Sequence, residues 1–261
     1  NGLFTLKEEK VDDKAIITRL WGEGGTTNIR SDYRNYSERL QLPYPKRLNN
    51  REHILYDGTV IPAKSEMIGI DDDSKRYIED AALKQEIGSE EDGAQYDDIY
   101  PKRTGVVTGL VDNDIYSFID DTMNFDLNEK DDNGTKYLID GVSAKITFVT
   151  GLLSGQQFEL NSKGGYDHSS KKFTILPYTD NRGLSFPTKD SEAFRIAVGD
   201  TYKITDINLP KSYEDDAEED LWYAGYDEFR PRTQARVKYS LTFDRSYFVN
   251  NMPEDSETSL F

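Results

Sequence analysis

Hydrophobic positions recur every second residue in several stretches of this chain, and at helical spacing in two short ones. The opening reads as two strands, Leu3–Leu6 and Ala15–Trp21, joined as a hairpin across the polar segment Glu8–Lys14. After Gly22-Glu23-Gly24-Gly25 no period stands out as far as Asn50, and Tyr33, Tyr36, Leu40 and Leu42 are scattered apolar anchors. Asp71-Asp72-Asp73-Ser74 then offers N-caps, and Tyr77, Ile78, Ala81, Ala82 and Gln85 recur at helical spacing before Gly88, which predicts a short helix over about 71–88. An acidic loop, Ser89–Asp98, follows and ends before Pro101.

From Thr104 the period is that of strands. Val106-Val107-Thr108-Gly109-Leu110-Val111 is β-branched, and Met123, Phe125 and Leu127 alternate before the turn-rich Lys130–Gly134. Val142, Ala144, Ile146 and Phe148 share one side of a predicted strand, and Phe173 and Ile175 one side of another. Gly151, Gly155, Gly164, Gly165, Asn181 and Gly183 punctuate the turns. A second helix is signalled by Pro210, by Ser212 as N-cap with Asp215 three residues on, and by Tyr213, Ala217, Leu221 and Ala224 along one face. Val237, Tyr239, Leu241 and Phe243 form the strongest strand pattern, and the residues after Met252 read as a polar tail.

These elements predict an α+β fold, mainly antiparallel β, with small β-barrel or sandwich-like domains and two short helices. The expected division is a first β-rich region over 1–112, a β domain over 113–209, a helix and closing strand that return to the core over 210–252, and a tail over 253–261. The chain opens on Asn1 and runs at once into strand-like sequence, so a piece of a longer protein is expected.

Composition narrows the functional classes. The 17 Tyr and 12 Phe are spread along the whole length, which suits half-buried β layers with an aromatic core. A formal charge of -17 disfavours direct recognition of nucleic acid or anionic lipid. Without cysteine there are no disulfides, thiolate metal sites or Cys nucleophiles. No apolar run approaches the roughly 20 residues of a membrane span.

No residue stands out as catalytic, cofactor-binding or metal-binding. The two histidines, His53 and His168, sit in polar, loop-like stretches. Asp126, Asn128, Asp131, Asp132 and Asn133 gather calcium-type oxygen ligands near a glycine, as do Asp71, Asp72 and Asp73, but neither group has the EF-hand spacing. With 49 acids, some carboxylate pair will lie at a glycosidase-like separation, which gives that reading no weight. Trp21, beside its glycine-rich turn, and Trp222-Tyr223 on the second helix are the candidate aromatics for sugar stacking or a subunit interface.

Ile17–Trp21 followed by Gly24–Ile29 resembles a stretch of phage and prophage tail-associated proteins of the tail tip and baseplate hub. Further family-like stretches follow in order: Arg39-Leu40, Tyr77–Asp80, Asp98–Thr108, Ala144–Phe148 leading to Gly151, Phe158–Leu160, Val198–Tyr202, and Pro210 with Tyr213. The resemblance implies a structural, non-enzymatic virion protein that forms a ring, commonly a trimer, at the distal end of the tail tube. Its implied partners are other tail and baseplate proteins, and its implied place is the virion tail, assembled in the bacterial host's cytoplasm. The acidity would suit a channel through which DNA slips without sticking. The alternatives are a glycan-binding β-module for host attachment and, further off, a carboxylate-dependent glycosidase.

Overall fold

The computed structural model describes residues 4–11, 16–43, 53–54, 60–61, 68–70, 76–161, 163–179, 181, 183, 185–233 and 236–243, excepting the side chains of 4–11, 53–54, 60–61, 68–70, 193 and 236–243. The fold is α+β, mainly antiparallel, with two α-helices among the described residues.

The first region contributes strands β1 (Phe4–Val11), β2 (Arg19–Gly24), β3 (His53–Ile54), β4 (Val60–Ile61), β5 (Ile68–Ile70), β6 (Arg76–Glu79) and β7 (Glu91–Tyr96), and helix α1 (Ala81–Ile87). Four strands form one sheet in the order β5-β6-β2-β7, and only the β2–β7 pair is parallel. Alternation along β2 sends Leu20, Gly22 and Gly24 to the buried side. There they meet Leu40, Leu42, Ile78 and the second helix, α2 (Lys211–Phe229), whose Ala217, Leu221, Trp222 and Phe229 are buried at helical spacing. Gly225 lets α2 approach closely, since a Cβ there would stand 3.0 Å from Ile78 Cδ1. Glu218, buried on the same helix, accepts hydrogen bonds from Tyr33 Oη at 3.0 Å and Arg34 Nη2 at 2.6 Å.

Between Pro101 and Leu209 the two-residue period builds a sandwich. Its strands are β8 (Thr104–Val106), β9 (Gly109–Val111), β10 (Asp114–Ile119), β11 (Lys145–Phe148), β12 (Gln157–Glu159), β13 (Tyr166–Asp167), β14 (Lys172–Thr174) and β17 (Thr201–Thr205). They form two antiparallel sheets in the orders β13-β14-β10-β9 and β12-β11-β17-β8, and β15 (Tyr178–Thr179) and β16 (Ser185–Phe186) pair separately. The sheets face each other through rings: Phe118 lies 5.9 Å from Phe148 and 5.0 Å from Tyr202 on the opposite sheet, and it stacks 5.3 Å from Phe173, its partner on the same sheet. Each such pair contributes about 0.5–1.5 kcal/mol beyond the area it buries. The chain turns from one sheet to the other at Val107-Thr108, whose successive N–H groups donate to Asp200 O and Ile119 O. On the far side a single bridge, Leu160–Ile175, links the sheets, and among the described residues no barrel closes.

Contacts of Asn28, Arg30 and Tyr213 are among those that join the regions. Asn28, buried with φ 56°, donates its amide to Pro101 O at 2.9 Å and Ile204 O at 3.1 Å. Arg30 reaches Asp131 at 2.6 Å. Tyr213, on the first turn of α2, packs against the sandwich core and donates to Asn124 Oδ1 at 3.0 Å. A separate ribbon pairs β1 antiparallel with β18 (Arg236–Phe243) from Phe4 opposite Phe243 to Val11 opposite Arg236, with no third strand among the described residues.

Several sequence expectations are corrected. The opening hairpin does not form: β2 has β6 on one side and β7 on the other, which leaves no edge for β1. Tyr77 and Ile78 belong to a strand rather than a helix, because Ile78 must face the core opposite Leu20. The helix starts only after Asp80, whose carboxylate accepts the N–H groups of Ala82 and Leu83, and it stops at Gly88 with φ 94°. The proposed caps Asp71, Asp72, Asp73 and Ser74 lie outside the described residues. The acidic loop contains β7, an edge strand whose polarity comes from its exposure. Met123, Phe125 and Leu127 fall in irregular chain held by turns at Asp120 and Asp126. Helix α2 begins at Lys211 with Pro210 as N-cap, so Ser212 does not cap it, and its 19 residues make it longer than expected.

Candidate functional site

The side of β2 turned away from α2 carries Arg19, Trp21 and Glu23. Register fixes their neighbours: Arg19 lies between Glu79 on β6 and Glu91 on β7, and Trp21 between Tyr77 and Gly93. Tyr77 has Gly69 of β5 on its other side, so the row Gly69–Tyr77–Trp21–Gly93 crosses the sheet with glycine at both ends. The two rings meet edge to face at 4.9 Å. Neither ring joins the core cluster, and both stay half-buried.

Arg19 ties this face together. Its guanidinium lies 4.0 Å from the Tyr77 ring centre and 5.7 Å from that of Trp21, donates to Glu79 at 2.8 Å and 3.0 Å, and donates to Glu91 at 2.8 Å. The Trp21 indole N–H donates to Glu91 at 3.0 Å, and this bond holds the Glu91 carboxyl below the usual range. Burial works against ionisation of Glu79, but Lys84 and Arg19 outweigh it and lower that carboxyl too. Beyond the aromatic row Glu23 stands 3.7 Å from Arg39, which also pairs with Asp97. The result is an aromatic centre inside a rim of paired charges, an arrangement that can bind a surface or a ring.

No family model, curated protein or solved structure matches this chain. The residues themselves must therefore carry the functional reading.

The aromatics singled out from the sequence do not come together. Trp21 lies on the outer face, whereas Trp222 is only 1% exposed in the core on the opposite side of the same sheet, where it has no free face for a sugar or partner. Tyr223 is half-buried on α2, its hydroxyl 3.4 Å from Glu219. Tyr77 and Arg19 were missed as site residues. The period-two run Arg76–Glu79 was the signal for Tyr77, but it merged with the helical spacing that follows.

The other candidates have structural occupations. His53 lies on β3, and His168 Nδ1 is 2.8 Å from Tyr166 Oη in a turn. Asp126 accepts the N–H of Asn128, while Asp131 accepts those of Asn133 and Thr135 and pairs with Arg30. Among the described residues no three acids or histidines converge on a metal-sized space. Asp120, as fully buried as Glu218, is saturated by Arg103 at 2.8 Å, Tyr202 Oη at 2.6 Å and Thr122. Burial opposes its ionisation, yet the bonds from Thr122 and Tyr202 and the Arg103 charge hold it below the usual carboxylate range. A general acid for glycoside hydrolysis needs the reverse shift. Gly105 makes room for this network, because a Cβ there would lie 2.4 Å from Tyr202 Cζ and 2.6 Å from Asp120 Oδ2.

Proposed function

We propose that this chain is a non-enzymatic structural component of a phage or prophage tail tip or baseplate hub, acting through protein–protein contacts, with the outer face of the first sheet as a contact surface. The Trp21–Tyr77 pair carries the reading. An aromatic anchor within a charged, hydrogen-bonded rim is how protein interfaces concentrate binding energy. The tail setting rests on the ordered series of family-like stretches along the sequence, which implies a ring-forming, commonly trimeric protein. Sedimentation equilibrium tests it: the protein forms a trimer, and Trp21→Glu leaves a folded monomer. A native protein that stays monomeric at high concentration, and that is absent from purified tail particles, overturns the reading.

The second reading, a glycan-binding module, draws on the same row. Glycine at both ends, with open space where a Gly93 side chain would stand, leaves room for a sugar ring to lie across the aromatics. A glycan array separates the two readings, since binding that Trp21→Ala abolishes favours the second.

A further inference from the structure

We propose that the sandwich holds a separate binding site, a cavity of about 530 Å³ that takes a neutral, polyhydroxylated ring of one or two sugar units. It rests on different residues from the outer face and stands or falls independently of it.

Two turns build its walls. Val142 N–H donates to Ile139 O at 3.1 Å around Gly141, whose φ of 78° suits a tight turn. Opposite, Lys163 N–H donates to Asn161 Oδ1 at 3.0 Å, and the chain closes at Gly165, where a Cβ would lie 2.3 Å from Asn161 O. The Leu160 N–H bond to Ala144 O, at 2.7 Å, ties the two walls together at their base.

Its chemistry selects against charge. Among the described residues the ionic groups on the lining are Lys136 and Asp140, and Lys136 Nζ holds both Asp140 oxygens at 2.8 Å and 2.9 Å, so an ionic ligand meets no unmatched counter-charge there. Neutral donors and acceptors remain. The Ser143 hydroxyl and the Asn161 amide nitrogen take no hydrogen bond among the described residues and are placed to meet ligand hydroxyls. Val142, 46% exposed, and Leu160 offer aliphatic surface to the C–H faces of a ring. The Tyr166 hydroxyl is engaged with His168 at 2.8 Å and its ring packs against Phe173 in the core, so neither competes for a ligand's hydroxyls. Hydroxyl edges and C–H faces together describe a neutral sugar.

Saturation-transfer NMR with glucose, galactose and N-acetylglucosamine, and with glucuronate as the charged comparison, tests the assignment on the whole protein. The expected result is binding of at least one neutral sugar and none of glucuronate. Affinity drops at least about tenfold in Ser143→Phe, which fills the cavity from an exposed position, and in Val142→Trp, and it is unchanged in Leu152→Ala, an exposed position outside the lining. Either variant suffices if the other fails to fold. No signal from any neutral sugar, or signal that survives both cavity variants, overturns the proposal.

Discussion

The sandwich draws its core from strands that lie within a single stretch of chain, so that Phe118, Phe148, Phe158, Phe173 and Tyr202 all come from between Pro101 and Leu209. The first region gathers Leu20, Leu40, Ile78 and Trp222 from segments spread across the molecule, and its covering helix arrives only after the sandwich has been threaded. The sandwich closes within its own stretch of chain, through the distant β8–β17, β11–β17 and β10–β14 pairings, whereas the first sheet also waits for α2, which arrives after that stretch. Asn28, Arg30 and Tyr213 are where the two meet, and α2 touches both cores.

The largest test is on the sandwich side. Arg103→Met strands the Asp120 carboxylate in the core and lowers stability by about 3–5 kcal/mol in urea titrations. A loss below about 1 kcal/mol would show that water replaces the guanidinium. Trp222→Ala empties the junction of α2 and the first sheet at a cost of about 3–5 kcal/mol. Because α2 spans both cores, this variant should shift one cooperative transition followed by near-UV dichroism. Two resolved transitions would show instead that the sandwich folds without regard to its neighbour.

Asn28→Ala leaves Pro101 O and Ile204 O without their shared donor and costs about 1–3 kcal/mol. If the regions are coupled at this point, it should also split the single transition that Trp222→Ala only shifts. The smallest effect is in acid. Asp120 has a lower pKa folded than unfolded, so its contribution is present above the ordinary carboxyl value near about 4 and disappears as pH falls through the lower native value. Asp120→Asn flattens that part of the stability–pH curve, and a curve of unchanged slope would assign acid sensitivity to other carboxylates.

The same contrast explains what could be read from the sequence. Ala144, Ile146, Phe148 and Phe173 advertise the sandwich because each alternates with polar neighbours on a strand buried on one side. Val142 looked like part of that series but sits on a turn. In the first region the signals overlap: four strand residues, Arg76–Glu79, run directly into a helix at Asp80, so periods of two and of about 3.6 share the same letters. Edge strand β7 carries Glu91 and Asp92 where a central strand would be apolar. Trp21 was visible as a site residue because it stood beside glycines, while its partners Tyr77, Arg19 and Glu91 are assembled by pairings that no local pattern encodes.

The ribbon of β1 and β18 gives the molecule a mechanical character. Phe4 and Phe243 are direct partners at its tip, so tension applied to those two residues meets one pair of rungs at a time and peels the ribbon like a zip. The sandwich and the first sheet carry no load until the last rung, Val11 with Arg236, has parted, which makes the ribbon a sacrificial link in series with the folded body.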